Sequence, residues 1–212
     1  MTDKYVSHIK HKTVRLPVLY VGTPIALITT CNEDGTANIS PMSSVWALGD
    51  RFVCGMSSSS QCHENTLREA ECVINFPSAS LWRSVEKLAR STGRNPVPPH
   101  KIKIGYEYVR DKFTLSGLTS IPSETVKPPR IKECPIQIEG KVVATHGPGG
   151  EWPIERPETF SIVEILVTKI HAHEDIVVPE TDYIDTNRWQ PLFYVFRHYF
   201  GAGEDLGRTF KA

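Results

Sequence analysis

Two short stretches of the chain combine residue types that suit ligand chemistry. The first is Asn38-Ile39-Ser40-Pro41-Met42-Ser43-Ser44-Val45-Trp46. A strand entering it is predicted to stop at Pro41, which has no N–H for a ladder. Beyond Pro41 come small polar residues whose backbone N–H groups are open to a ligand with acceptors along one edge. A serine-rich turn with no ligand fits the same residues. The second stretch is Ser57-Ser58-Ser59-Ser60-Gln61-Cys62. Its four hydroxyls precede a predicted helix N-terminus, where unpaired N–H groups and partial positive charge favour an anion such as phosphate. The competing reading is plain N-capping, and Ser58 with Gln61 has the spacing of a capping box.

Acceptors along one edge describe the isoalloxazine ring of a flavin, with N5 and O4 accepting and charge near N1 and O2 once reduced. Other chemistries find less support. Neither a Walker loop nor G-x-G-x-x-G occurs, and no G-x-S-x-G marks a serine nucleophile. His146-Gly147-Pro148-Gly149-Gly150 lacks the Lys and Ser/Thr of a phosphate loop and reads as a turn. His171 and His173 have strand spacing but no further ligand in pattern, so a metal site is not expected. Cys62 at a helix start is either a thiol of lowered pKa or an inert one. Lys112 and Arg94 are candidate contacts for a nucleotide phosphate, set against surface charges in water.

These stretches need elements to position them. Pro24–Cys31 reads as a strand, Asn32-Glu33-Asp34-Gly35 as a turn, and Ala37–Ser40 as the returning strand. Arg51–Met56 and Glu71–Phe76 are two more strands. Between them a serine loop leads into a short helix ending near Ala70. Ser80–Thr92 has Leu81, Val85 and Leu88 at helical spacing. Residues 93–135 are proline-rich and irregular, the profile of a lid or a covered surface. Ile136–Thr145 and Thr159–Ile170 are strands. The tail from Trp189 to Phe200 is aromatic and must pack on its own barrel or on another subunit. About six or seven strands joined by short turns predict an antiparallel barrel.

Composition narrows the class. The 212 residues carry 24 Lys plus Arg and 24 Asp plus Glu. Zero formal charge gives no global field to attract nucleic acid or an anionic membrane. No run approaches the roughly 18 apolar residues of a membrane span, and Met1–Lys12 lacks the apolar core of a signal peptide. Five cysteines, with no C-x-x-C pair, argue against a disulfide framework. A reduced, cytoplasmic protein is expected, with one domain over 1–212, an extended loop region at 93–135 and a packing tail at 189–212.

In order and spacing these pieces resemble the flavin reductase-like group of FMN-binding split barrels, which includes flavoredoxin and NAD(P)H:flavin oxidoreductases. Pro24–Val45 is similar to the family hairpin. Cys62-His63-Glu64-Asn65 is similar to its T-x-x-N segment, with Cys62 in place of Thr. Glu71–Pro77, Asp111-Lys112-Phe113 with Gly117-Leu118, and the tail from Trp189 to Gly201 match further segments, so the likeness runs from about residue 16 to 210. The resemblance implies a mainly β fold, a six-stranded antiparallel split barrel with a few short helices and long loops. It implies a homodimer with FMN at or near the interface and NAD(P)H as electron donor. Carried over residue by residue, Asn38, Ser40, Pro41, Met42, Ser43, Ser44 and Val45 would lie along the ring. Ser57, Ser58, Ser59, Gln61, Cys62 and Asn65 would hold the ribityl chain and phosphate. The rival functions are a flavin-binding electron carrier or store without a nicotinamide site, and a barrel that has lost flavin and serves as an interaction module.

Overall fold

The computed structural model describes residues 9–16, 18–148 and 159–206. Expectations for Met1–His8, for Gly149 and Gly150 and for the last residues of the tail lie outside these. In chain order the strands are β1 (Val21–Pro24), β2 (Ala26–Cys31), β3 (Ala37–Met42), β4 (Val45–Leu48), β5 (Arg51–Ser57), β6 (Glu71–Phe76), β7 (Ser91–Thr92) and β8 (Glu107–Tyr108). They continue with β9 (Ser120–Ile121), β10 (Arg130–Ile131), β11 (Ile136–His146), β12 (Phe160–Ala172), β13 (Phe193–Val195) and β14 (His198–Phe200). The helices are α1 (Gln61–Glu69), α2 (Trp82–Leu88), α3 (Pro99–Lys103) and α4 (Lys112–Ser116).

The main sheet has seven strands in the order β3-β2-β6-β11-β12-β5-β4, and its pairs are antiparallel. Its two edge strands, β3 and β4, are consecutive in sequence and separated only by Ser43 and Ser44. Two residues bridge the opposite edges of a sheet only if the sheet curls until the edges meet. The Ser43-Ser44 link makes that closure, and Gly55 N donates to Ser44 O at 2.7 Å in continuation of the β4–β5 pair. The result is a split barrel, mainly β as expected, with seven strands in the sheet where six were expected.

Side-chain alternation explains which strands form. On β2, Ala26 and Ile28 face the barrel interior, while Ile25 before it and Leu27 face a second apolar layer. A strand buried on both faces reads as an unbroken apolar run. On β5, Phe52, Cys54 and Met56 point inward and their neighbours outward. The second layer packs Val85 and Leu88 of α2, Leu118, Ile131 and Leu192 over the outside of β2 and β3. Each such fully buried side chain stabilises by about 1.5–3 kcal/mol relative to exposure.

Several local expectations are corrected. β3 does not stop at Pro41 but continues to Met42, with Pro41 opposite Leu27. As an edge strand, β3 tolerates a residue with no N–H on its outer side. Val45–Leu48, to which no element was assigned, is strand β4. The stretch 93–135 is less irregular than expected, since it holds α3, α4 and β8 to β10. The tail packs on its own chain: β13 pairs with β1 and β14, and Ile25 N donates to Leu192 O. Among the described residues no helix is long and apolar enough to cross a membrane.

Candidate functional site

A cleft of about 470 Å³ opens where the sheet closes on itself. Its floor is the end of β3, the Ser43-Ser44 turn and the end of β5, from Gly55 to Ser57. One end is the start of α1, with Ser60 and Gln61. The rest of the lining includes the C-terminal end of α2, strand β7 with Gly93 after it, and Lys101 and Lys112. Tyr20, Tyr194 and Tyr199 line the rim. Tyr194 lies 5.4 Å from Tyr20 and 6.0 Å from Tyr199, between ring centroids. Tyr20 Oη and Ser44 Oγ are 3.2 Å apart.

The predicted residues divide between this surface and the layer beneath it. Ser40, Pro41, Met42, Ser43 and Ser44 line the cleft together, and so do Ser57 and Gln61. Asn38, Val45, Cys62 and Asn65 are buried and do not line it. Asn38 Nδ2 donates to Ser40 Oγ at 3.2 Å, while its Oδ1 is buried without a partner. Asn65 is a hub under α1: its Nδ2 donates to Thr30 Oγ1 and Asn32 Oδ1, and its Oδ1 accepts from Gln61 Nε2. Val45 packs in the barrel core. Ser58 is drawn away to β12, donating through N and Oγ to Thr159 O. Ser59 Oγ lies 3.2 Å from Ser57 Oγ.

Two expectations about α1 change. The cap is Ser60, whose Oγ accepts from His63 N at 3.1 Å, so the Ser58–Gln61 capping box does not form. Cys62 takes the inert alternative. Its side chain is fully buried against Met56, and burial pushes the thiol up to about 12.

The two candidate cations differ in placement. Arg94 is paired with Glu64. Lys112 is 3 % exposed and donates from Nζ to Ile39 O at 2.9 Å. Burial brings its pKa down to about 8, which still leaves it mostly charged at pH 7. Lys101, which was not among the predicted residues, donates from Nζ to Ser59 O at 3.3 Å, beside the start of α1. No Asp or Glu is among the described residues that line the cleft. His171 and His173 lie elsewhere, bonded to Glu139 and to Lys132 O.

These features can be tested against a flavin mononucleotide. The volume lies in the roughly 300–1,000 Å³ range of cofactor pockets. The first N–H groups of α1 have no partner within the helix, and a lysine stands beside them, as a phosphate requires. The lining is held open by a glycine: a Cβ at Gly93 would come within 2.7 Å of Asn38 Oδ1. The residues fit the group.

Comparison with known proteins agrees with this geometry. Residues 18–203 match the family described as the flavin reductase like domain. The protein YdfE of Bacillus subtilis (strain 168) is 43% identical over 203 residues, covering 96% of this chain and 95% of that protein. Flavoredoxin of Desulfovibrio vulgaris (Miyazaki F) superposes with a TM-score of 0.76 at 21% identity, covering 96% of this chain and 99% of that one. Flavoredoxin from Methanosarcina acetivorans gives a TM-score of 0.75 at 18% identity, covering 96% and 97%. With most of its length matched and its sheet closed around an acid-free cleft, the chain belongs to the flavin reductase-like family.

Proposed function

We propose that this protein is an FMN-dependent oxidoreductase that takes hydride from a reduced nicotinamide nucleotide and passes the electrons to a second acceptor. Family membership implies flavin binding and a flavin-linked redox role; the choice of FMN and of donor is our reading. The observation that carries it is the cleft itself, with a helix N-terminus and Lys101 at one end and open strand edge at the other. When bound, the flavin supplies hydride acceptance and release.

The chain's own residues hold and orient. Ser57, Ser60, Lys101 and the first amides of α1 would bind the phosphate. The outer edge of β3 and the Ser43-Ser44 turn would orient the ring, since an edge strand leaves half its polar groups unpaired by the sheet. Tyr194, Tyr199 and the end of α2 would exclude water from one side. We further propose a cytoplasmic homodimer. Trp46 and Leu48 on edge strand β4 are 57% and 74% exposed, directly after the cleft-lining Ser43 and Ser44. A second copy covering them would place the cleft beside the interface. The free cysteines suit a reducing compartment.

An electron carrier without a nicotinamide site is the second reading. It is favoured by the state of the two cations suggested for nucleotide contact, one paired with Glu64 and the other buried. An anaerobic absorbance titration decides. The purified protein is expected to take up FMN and to bleach rapidly with NADH or NADPH, and to sediment as a dimer. Bleaching by dithionite but by neither nucleotide would establish the carrier. Failure to take up FMN or FAD would end the flavin reading.

Lys101→Met tests the phosphate end. Losing a charge-assisted contact is expected to weaken FMN by about tenfold to hundredfold, with riboflavin, which lacks the phosphate, almost unaffected. Equal losses for both ligands would remove Lys101 from the phosphate seat.

A further inference from the structure

Lys112 is a buried cation with no counter-ion among the described residues. Its ammonium has three hydrogens to donate, and the described structure gives it one acceptor, the neutral Ile39 O. The groups that face it from neighbouring elements do not compensate it. Cys62 on α1 is a thiol whose proton burial retains, and Lys101 on α3 carries the same charge. Glu64 and Glu86 are engaged with Arg94 and with Tyr199 Oη. Buried charges in folded proteins are normally paired. An ammonium that lines a cleft and has no anionic partner among the described residues is therefore placed for an anion that arrives with the ligand.

A phosphate has other donors in the cleft. The α1 end of the cleft already has serine hydroxyls, a helix N-terminus and Lys101 at Ser59. Lys112 is anchored to β3 instead, one residue before the Ser40–Ser44 stretch that forms the cleft floor. We propose that Lys112 is the counter-ion for the negative charge that a flavin ring gains on reduction, so that the cleft binds reduced flavin more tightly than oxidised flavin. This rests on the flavin-binding reading above. The balance is simple: hydride from the reduced nicotinamide brings two electrons and one proton to a neutral ring. The ring becomes a monoanion and the nicotinamide gains one positive charge. The ring's new charge lies near N1 and O2, and a fixed cation nearby stabilises that state selectively.

The test uses Lys112→Met and Lys112→Gln, titrated anaerobically with FMN and with riboflavin, each in oxidised and dithionite-reduced form. Wild-type protein is expected to prefer the reduced form of both ligands. In Lys112→Met that preference falls by about tenfold to hundredfold, the scale of one charge-assisted contact. Oxidised affinity stays within a few-fold, and the potential of the bound flavin becomes correspondingly more negative. The thermal midpoint of the ligand-free variant is expected to stay level or rise, since an uncompensated buried charge has been removed. Equal loss for both oxidation states, no loss at all, or a loss seen with FMN and not riboflavin overturns the proposal while leaving flavin binding intact. Wild-type protein that binds neither ligand in either state removes the flavin reading itself.

Discussion

Glu139→Ala is expected to lower the free energy of unfolding by about 3–5 kcal/mol, the range for breaking a buried charge network by removing one partner. Glu139 lies on β11 with its side chain fully buried. Its carboxylate accepts from Glu124 N at 2.9 Å, Thr125 N at 2.6 Å, Thr125 Oγ1 at 2.6 Å and is 2.8 Å from His171 Nε2. Arg130 stands 3.7 Å away. Removing the carboxylate takes the shared acceptor from several donors at once and leaves the Arg130 side chain without its anionic partner. Urea unfolding at neutral pH measures the loss, and a change under 1 kcal/mol would mean that the network is not structural.

The same group gives a pH signature with a defined sign. Burial alone pushes the carboxyl up, but the hydrogen bonds from Thr125, Glu124 and His171 outweigh it and bring the pKa down to about 2. The folded protein thus holds the proton less readily than the unfolded chain does. The stabilisation is complete above the ordinary carboxylate range, near about 4.3, and is lost as pH falls through that value toward 2. By linkage it amounts to about 3 kcal/mol, with roughly half gone at pH 3. Glu139→Gln keeps the shape and cannot titrate. The stability gap between wild type and Glu139→Gln should therefore narrow between pH 5 and pH 3, and a gap flat across that interval would refute the assignment.

Glu139 also explains how the long proline-rich stretch is divided. Residues 118–135 are not free to act as a lid. Thr29 Oγ1 binds Pro129 O, Asn75 Oδ1 accepts from Ile131 N, and Glu139 fixes Glu124 and Thr125 to the outside of the barrel. Residues 93–112 take the other course and supply Gly93, Lys101 and Lys112 to the cleft.

This division marks what was legible in the sequence. Strands β2, β5 and β6 announced themselves through apolar runs and alternation, and Gly35 at φ 78° closed the hairpin as its turn signal implied. β4 was not legible. Val45-Trp46-Ala47-Leu48 pairs with β5 in a hairpin whose two-residue turn is Gly49-Asp50, with Gly49 at φ 60°. The turn signal is local, but the exposed Trp46, Ala47 and Leu48 break the apolar alternation by which a strand is read. Ser40–Ser44 were found because small polar residues at a strand end are informative on their own. Lys101 was not, since its neighbour Ser59 lies 42 residues away. A faint signal did exist: Pro98-Pro99 suits the first turn of a helix, and Asp111 three residues before Thr114 caps α4. Those two signs predict helices, and hence ordered lysines, inside a stretch that proline content alone labels as loop.

Gly93→Ala is expected to damage the cleft more than any conservative change on its floor. An added Cβ would lie 2.7 Å from Asn38 Oδ1 and 3.0 Å from Gln61 Cγ. Neither neighbour is free to yield. Asn38 is buried and tied to Ser40 Oγ, and Gln61 is tied to Asn65, which in turn holds Thr30 and Asn32. Overpacking of this kind costs about 1–3 kcal/mol. The strain is also transmitted to Ser40 and Gln61, which both line the cleft. FMN affinity should fall by about tenfold or more, since a strain of 1.4 kcal/mol expressed at the site is already one decade. Asn38→Ala removes the atom in the way. The double variant is therefore expected to recover at least about 1 kcal/mol of stability relative to additive losses, a coupling measurable by a double-mutant cycle. Full additivity would mean that Gly93 is required for its backbone alone. A positive coupling with FMN affinity still lost would assign the buried Asn38 Oδ1 to the ligand as well as to the wall.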